Sequence, residues 1–173
     1  MSINGAFVMA ASVVAVDVGK NKAALSVTSA ERHRLFGPAE FAMTAPALAA
    51  VLQRVCAVLP TGPVKVGVEA AGHYHRPLLG SGVWPAGWQV VELSPARVAE
   101  QRRVQGRRRV KTDAIDLEAI TELVLAGHGV PVTARGRRSP TSAGGRRIAD
   151  AGCRRGPRPR TSCWPSWTAA FRG

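Results

Sequence analysis

Asp113 and Asp116 stand three residues apart in the run Lys111-Thr112-Asp113-Ala114-Ile115-Asp116, at the start of what reads as a helix. Residues at that spacing share a helix face. Two like charges held side by side repel unless a cation or solvent relieves them. Two further acids close short β-branched runs, Asp17 after Ser12 to Val16 and Glu69 after Val64 to Val68. A carboxylate at the end of a buried strand must be paired, hydrogen-bonded or metal-bound. Taken together, Asp17, Glu69, Asp113 and Asp116 form a candidate catalytic and metal-binding set. Hard divalent cations such as Mg²⁺ or Mn²⁺ take oxygen ligands and keep some waters. Four carboxylates carry the charge to hold two such ions roughly 4 Å apart, the arrangement that activates water or a hydroxyl for in-line attack on phosphate. Each acid alone has a plainer reading. Asp17 before Gly19 suits a strand-end turn, Asp113 complements a helix dipole, and Glu69 and Asp116 can be ordinary charges.

A basic run lies directly upstream of the aspartate pair, from Arg102 to Lys111 around a central Gly106. Arg102, Arg103, Arg107, Arg108, Arg109 and Lys111 are the candidate nucleic-acid ligands, expected on a mobile loop. They would grip the phosphodiester backbone with little sequence preference. His73 and His75 flank Tyr74 and read as surface or packing residues rather than metal ligands.

The elements that must position these residues follow in order. Ser12 to Val18 reads as a strand buried on both faces. Lys22 to Thr28 is a second strand after the turn at Gly19-Lys20-Asn21. Arg32 to Phe36 and Glu40 to Met43 make a third, broken at Gly37-Pro38. Thr44 caps a helix with Pro46 in its first turn, running to about Leu59 with Leu48, Val51, Leu52 and Val55 at helical spacing. Val64 to Glu69 is the fourth strand, His73 to Leu79 a short helix, and Trp88 to Leu93 the fifth strand. Ser94-Pro95 starts a helix. Thr112 caps the last, which runs to about Ala126 and ends at Gly127. The order predicts an α/β fold with a mixed five-stranded sheet and flanking helices, in the ribonuclease-H-like (RuvC-like) arrangement. Chemistry in open α/β sheets gathers near such strand ends.

The 173 residues suffice for one domain with a real core, and an apolar content of 46% fits a folded chain. The net charge of +13 is unevenly spread: residues 1–134 carry 14 Lys and Arg against 10 Asp and Glu, and residues 135–173 carry 10 Arg against one Asp. Such an excess points to a polyanionic partner, nucleic acid first. The expected organisation is an extension over 1–11, a domain over 12–134 and a basic tail over 135–173. In the tail, Arg, Gly, Pro and Ser supply 24 of 39 residues and no apolar periodicity survives. It reads either as a disordered nucleic-acid-binding arm or, preferably, as the product of a shifted reading frame in a GC-rich gene. Cys56, Cys153 and Cys163 build no disulfide framework, with Cys56 expected as a core thiol. The apolar stretch from Ala6 to Val18 has no Lys or Arg before it and is interrupted by Asp17, so a cytoplasmic protein without a membrane span is expected.

Three segments carry a family resemblance: Val13-Val14-Ala15-Val16-Asp17-Val18-Gly19-Lys20, Gly67-Val68-Glu69-Ala70-Ala71-Gly72-His73-Tyr74-His75-Arg76-Pro77-Leu78, and Arg109-Val110-Lys111-Thr112-Asp113-Ala114-Ile115-Asp116. In this order they resemble the DEDD transposases of bacterial insertion sequences, the bridge-RNA-guided recombinases related to the Piv DNA invertase. Ser94-Pro95-Ala96-Arg97 resembles the family's segment before its basic stretch. The resemblance covers roughly residues 12–134. It implies a RuvC-like domain in which Asp17, Glu69, Asp113 and Asp116 coordinate Mg²⁺, DNA as partner, a guide RNA, and homo-oligomers of the full-length protein. The family continues into a helical region and a second domain that supplies a catalytic serine. Nothing after Arg135 resembles either, and Ser139, Ser142, Ser162 and Ser166 lie in no matching context. The chain therefore reads as a transposase fragment. The alternatives are a basic nucleic-acid-binding module without catalysis, and an actin-like ATPase, against which the absence of a second Gly-rich phosphate loop argues.

Overall fold

A computed structural model describes residues 12–80, 82–106 and 112–132. The N-terminal extension, the core of the basic run and the Arg-rich tail lie outside the described residues. The β-branched runs form the middle of a sheet. β1 (Ser12–Val18) pairs antiparallel with β2 (Lys22–Ser29), which pairs antiparallel with β3 (Arg34–Ala42). On its other side β1 pairs parallel with β4 (Val64–Glu69), and β4 pairs parallel with β5 (Gln89–Leu93). A two-residue β6 (Val130–Pro131) adds antiparallel to β5, giving the order β3-β2-β1-β4-β5-β6. The sheet is mixed and ribonuclease-H-like, as the element order predicts, with one strand more than expected. β6 is too short to have a period of its own and exists only through its pairing to β5.

Alternation along β1 divides the core between two layers. Val14, Val16 and Val18 pack with Leu48, Val51, Leu52 and Val55 of helix α1 (Ala45–Val58). Val13 and Ala15 pack on the opposite face with Val98 of α2 (Pro95–Val104) and with Leu117, Ile120, Leu123 and Val124 of α3 (Asp113–Leu125). Each fully buried Leu or Val stabilises the fold by roughly 1.5–3 kcal/mol relative to an exposed one. Gly67 in β4 lets α3 lie close to the sheet: a Cβ there would come within 2.5 Å of Val124 Cγ2 and 2.9 Å of Ile120 Cγ2.

Several local expectations change. β3 continues through Gly37-Pro38 as one strand, with a register shift opposite Leu25 to Thr28. Gly37, at φ 80, lies where a Cβ would be 2.4 Å from Leu25 O. Of the three N-cap residues read from the sequence, only Thr112 accepts a side-chain bond, from Ile115 N; Thr44 and Ser94 hold the N-cap backbone conformation alone. The segment after Tyr74 forms a 3₁₀ turn at Arg76–Leu79. Cys56 is half-buried rather than in the core. α2 continues to Val104, so Arg102 and Arg103 belong to its last turn and not to a loop.

Candidate metal and nucleic-acid site

Strand register places the first two acids side by side. Val16 of β1 is level with Val68 of β4, so the next residues, Asp17 and Glu69, end neighbouring parallel strands together. Both lie on the α3 face. Asp17 follows Val13 and Ala15 at the strand period, and Glu69 follows Gly67, which faces Ile120 and Val124. Both are half-buried. Across the sheet the same row continues through Ala24, which pairs with Asp17 on one side and with Glu40 on the other.

α3 runs antiparallel to β1 above this face. Near its C-terminus Glu122 receives two bonds from Arg32, Nε to Oε1 at 2.8 Å and Nη2 to Oε2 at 2.9 Å. Arg32 lies in the β2–β3 turn, beside the start of β1. The other end of α3 therefore lies over the end of β1, where Asp17 is. There Asp113 is exposed and stands beside Lys22 and Glu40, themselves joined by a 2.7 Å ion pair. The Lys22 ammonium, by hydrogen bond and charge, holds the Glu40 carboxyl below the usual carboxylate range, and Asp113 acts in the same direction. The Glu40 carboxylate raises Lys22, with a further contribution from Asp113.

Asp116 is placed differently. It is only 2% exposed, on the buried side of the first turns of α3. Arg102 Nη1 from the last turn of α2 lies 2.8 Å from its Oδ1. Among the described residues the same Oδ1 has no aligned hydrogen bond. The two observations agree if the guanidinium nitrogen is close but off the line of its N–H, an ion pair held by charge.

The structure thus brings all four acids to one end of the α3 face, in two side-by-side strand ends and one helix turn. Among the described residues no group of three or more His, Cys, Asp or Glu side chains stands close enough to share a metal ion. Asp113 is turned to Lys22 and Glu40, and Asp116 to Arg102. The donor chemistry fits a hard divalent cation: every candidate is a carboxylate, and Asp116 Oδ1 is a buried acceptor lacking a directed donor. Of the six basic candidates, Arg102 faces Asp116 and exposed Arg103 pairs with Glu100. Arg107, Arg108, Arg109 and Lys111 lie outside the described residues. The sequence reading missed Lys22 and Glu40 as neighbours of Asp113 and gave Arg102 a phosphate rather than a carboxylate. Only strand register and the α2–α3 packing reveal those contacts.

His75 is buried with Nε2 2.9 Å from Glu92 Oε1, and His73 rests against the Tyr74 ring at 4.1 Å between centroids. Among the described residues no helix is long and apolar enough to cross a membrane.

A ribonuclease-H-like sheet with acids at the ends of β1 and β4 and at the head of a covering helix defines a class of nucleic-acid-processing domains. Residues 14–138 match the sequence profile of the IS110-type DEDD transposases, described as transposase, and the chain belongs to that family. No curated protein matches the chain.

Proposed function

We propose that this transposase domain binds DNA and divalent metal for phosphodiester chemistry in transposition, with Asp17, Glu69, Asp113 and Asp116 as the metal-binding and catalytic set. The observation that carries the reading is the register of Asp17 and Glu69 on adjacent parallel strands, under the helix turn that bears the other two acids. Mg²⁺ or Mn²⁺, two ions in this reading, would supply charge stabilisation and an activated oxygen nucleophile. Asp17 and Glu69 are held rigidly by the sheet and form the fixed half of the site. Asp113 and Asp116 form the adjustable half, each needing to leave a cationic neighbour. Arg103, Arg107, Arg108, Arg109 and Lys111 would position the phosphate backbone, joined by Arg102 when it is not on Asp116. Residues 12–134 are the functional unit in this reading. A guide RNA and homo-oligomerisation follow from the family resemblance alone.

The test is thermal melting with Mn²⁺ or Mg²⁺. Wild type is expected to gain stability, and Asp17→Asn or Asp113→Asn to lose that gain. A second reading, a basic nucleic-acid-binding module without catalysis, is favoured by the Arg102 ion pair on Asp116 and by the Lys22 charge near Asp113. Absence of any metal response in wild type would select it.

A further inference from the structure

We infer that Arg102 is an exchangeable counter-ion for Asp116, displaced from it by the divalent cation and thereby released toward phosphate. The inference rests on the metal-site reading above and adds a residue to it. A carboxylate as buried as Asp116 needs a compensating charge, and Arg102 Nη1 at 2.8 Å supplies it. Among the described residues no directed hydrogen bond reaches this Oδ1, so Nη1 meets it without the alignment of the strong charge-assisted bonds that arginine gives a carboxylate. This is therefore a charge contact on the lone pairs that a metal ion would use, and both cations cannot occupy the same side of Oδ1.

The helix that carries Arg102 is built to let go. Val98 is the one buried side chain of α2, and it lies a turn before Arg102. Val104, after it, is 72% exposed, so among the described residues no apolar packing clamps the last turn. Gln105, the C-cap residue, has a buried Oε1 with no hydrogen-bond partner among the described residues. Two buried acceptors without a directed hydrogen bond among the described residues, Asp116 Oδ1 with its charge contact and Gln105 Oε1, thus lie at the junction between α2 and α3. Such buried unsatisfied groups mark a place whose packing is not optimised for one arrangement. The last turn of α2 also leads directly into Arg107, Arg108, Arg109 and Lys111. An Arg102 released by metal would join a basic run that follows it directly in the chain. Metal loading and nucleic-acid grip would then be coupled through one side chain.

The sign of the effect separates this role from a merely structural one. If Arg102 only braces Asp116, its removal weakens metal binding. If the two cations compete, removal strengthens it. In calorimetric Mn²⁺ titrations of the full chain, paired with thermal melts, Arg102→Met is expected to bind roughly tenfold more tightly than wild type, because a like charge has left the ligand. Arg102→Lys, which keeps the charge but carries it on a flexible, more strongly hydrated ammonium, should fall between. Arg102→Met should also gain more thermal stability from Mn²⁺ than wild type does. If Arg102→Met does not fold at any metal concentration, the sign of the change in Arg102→Lys decides. A wild-type response abolished by Asp17→Asn, with equal or weaker binding in the Arg102 variants, overturns the exchange alone. No response in wild type and Arg102→Met, or one that survives Asp17→Asn, overturns the metal-site reading and the exchange with it.

Discussion

Asp116 and Asp113 occupy one helix turn, and their surroundings differ enough to separate their mutants. Asp113 is exposed beside Lys22 and Glu40, so Asp113→Asn should leave the metal-free melting temperature almost unchanged. Asp116 is buried against Arg102. Replacing it with Ala leaves a half-buried guanidinium unpaired and should cost about 1–3 kcal/mol, toward the low end because Arg102 still reaches water. Chemical denaturation of the two variants without metal checks the contrast; equal losses would mean that Asp116 is not charge-paired in solution. The identities of these acids were legible in the sequence because strand ends and a helix start leave clear local marks. Their partners were not. Lys22 and Glu40 are 18 residues apart in sequence, and what brings them together is the pairing of Lys22 with Ala42 and of Ala24 with Glu40. No local pattern encodes that.

At the scale of elements, α3 is the piece that joins core to site. Its buried side chains fix its distance from β4, and its first turn carries two of the four acids. Gly67 sets how closely it can approach, since a Cβ would meet two branched side chains. Gly67→Ala should therefore overpack this layer and cost roughly 1–3 kcal/mol. Because the helix must lift or tilt, it should also weaken the Mn²⁺-dependent stabilisation. A variant that melts like wild type would show that α3 has slack over β4. Thr112→Ala should cost less, about 0.5 kcal/mol, because the Thr112 Oγ1 bond to Ile115 N is long at 3.4 Å. The long elements were readable because period and punctuation agree in them. α1 runs between Thr44 and Pro60, and β4 is bounded by Pro63 and Gly72. The failures fall where tertiary packing overrides local text. β6 needs β5 beside it, and α2 runs past the point where its basic residues looked like loop.

For the whole molecule, the question is how the folded domain and the basic text divide the task. Among the described residues, the buried side chains of both cores lie between Val13 and Val124, and the last strand of the sheet ends at Pro131. Residues 135–173 hold 10 of the 24 Lys and Arg. If residues 12–134 are the functional unit, as proposed, a chain ending at residue 134 should keep its cooperative unfolding and its response to Mn²⁺, read by melting. Its affinity for a DNA duplex should fall, because the electrostatic part of binding scales with the phosphates neutralised. The slope of log K against log salt should flatten by roughly 0.9 for each phosphate that the shortened chain no longer neutralises. Substituting Arg107, Arg108, Arg109 and Lys111 in the full chain makes the complementary test. If the basic run before α3 is the working grip and the tail a non-specific addition, this variant should lose the coupling between Mn²⁺ and DNA affinity, whereas the shortened chain retains it. The reverse result would place the functional grip in the tail and remove the basic run from the site.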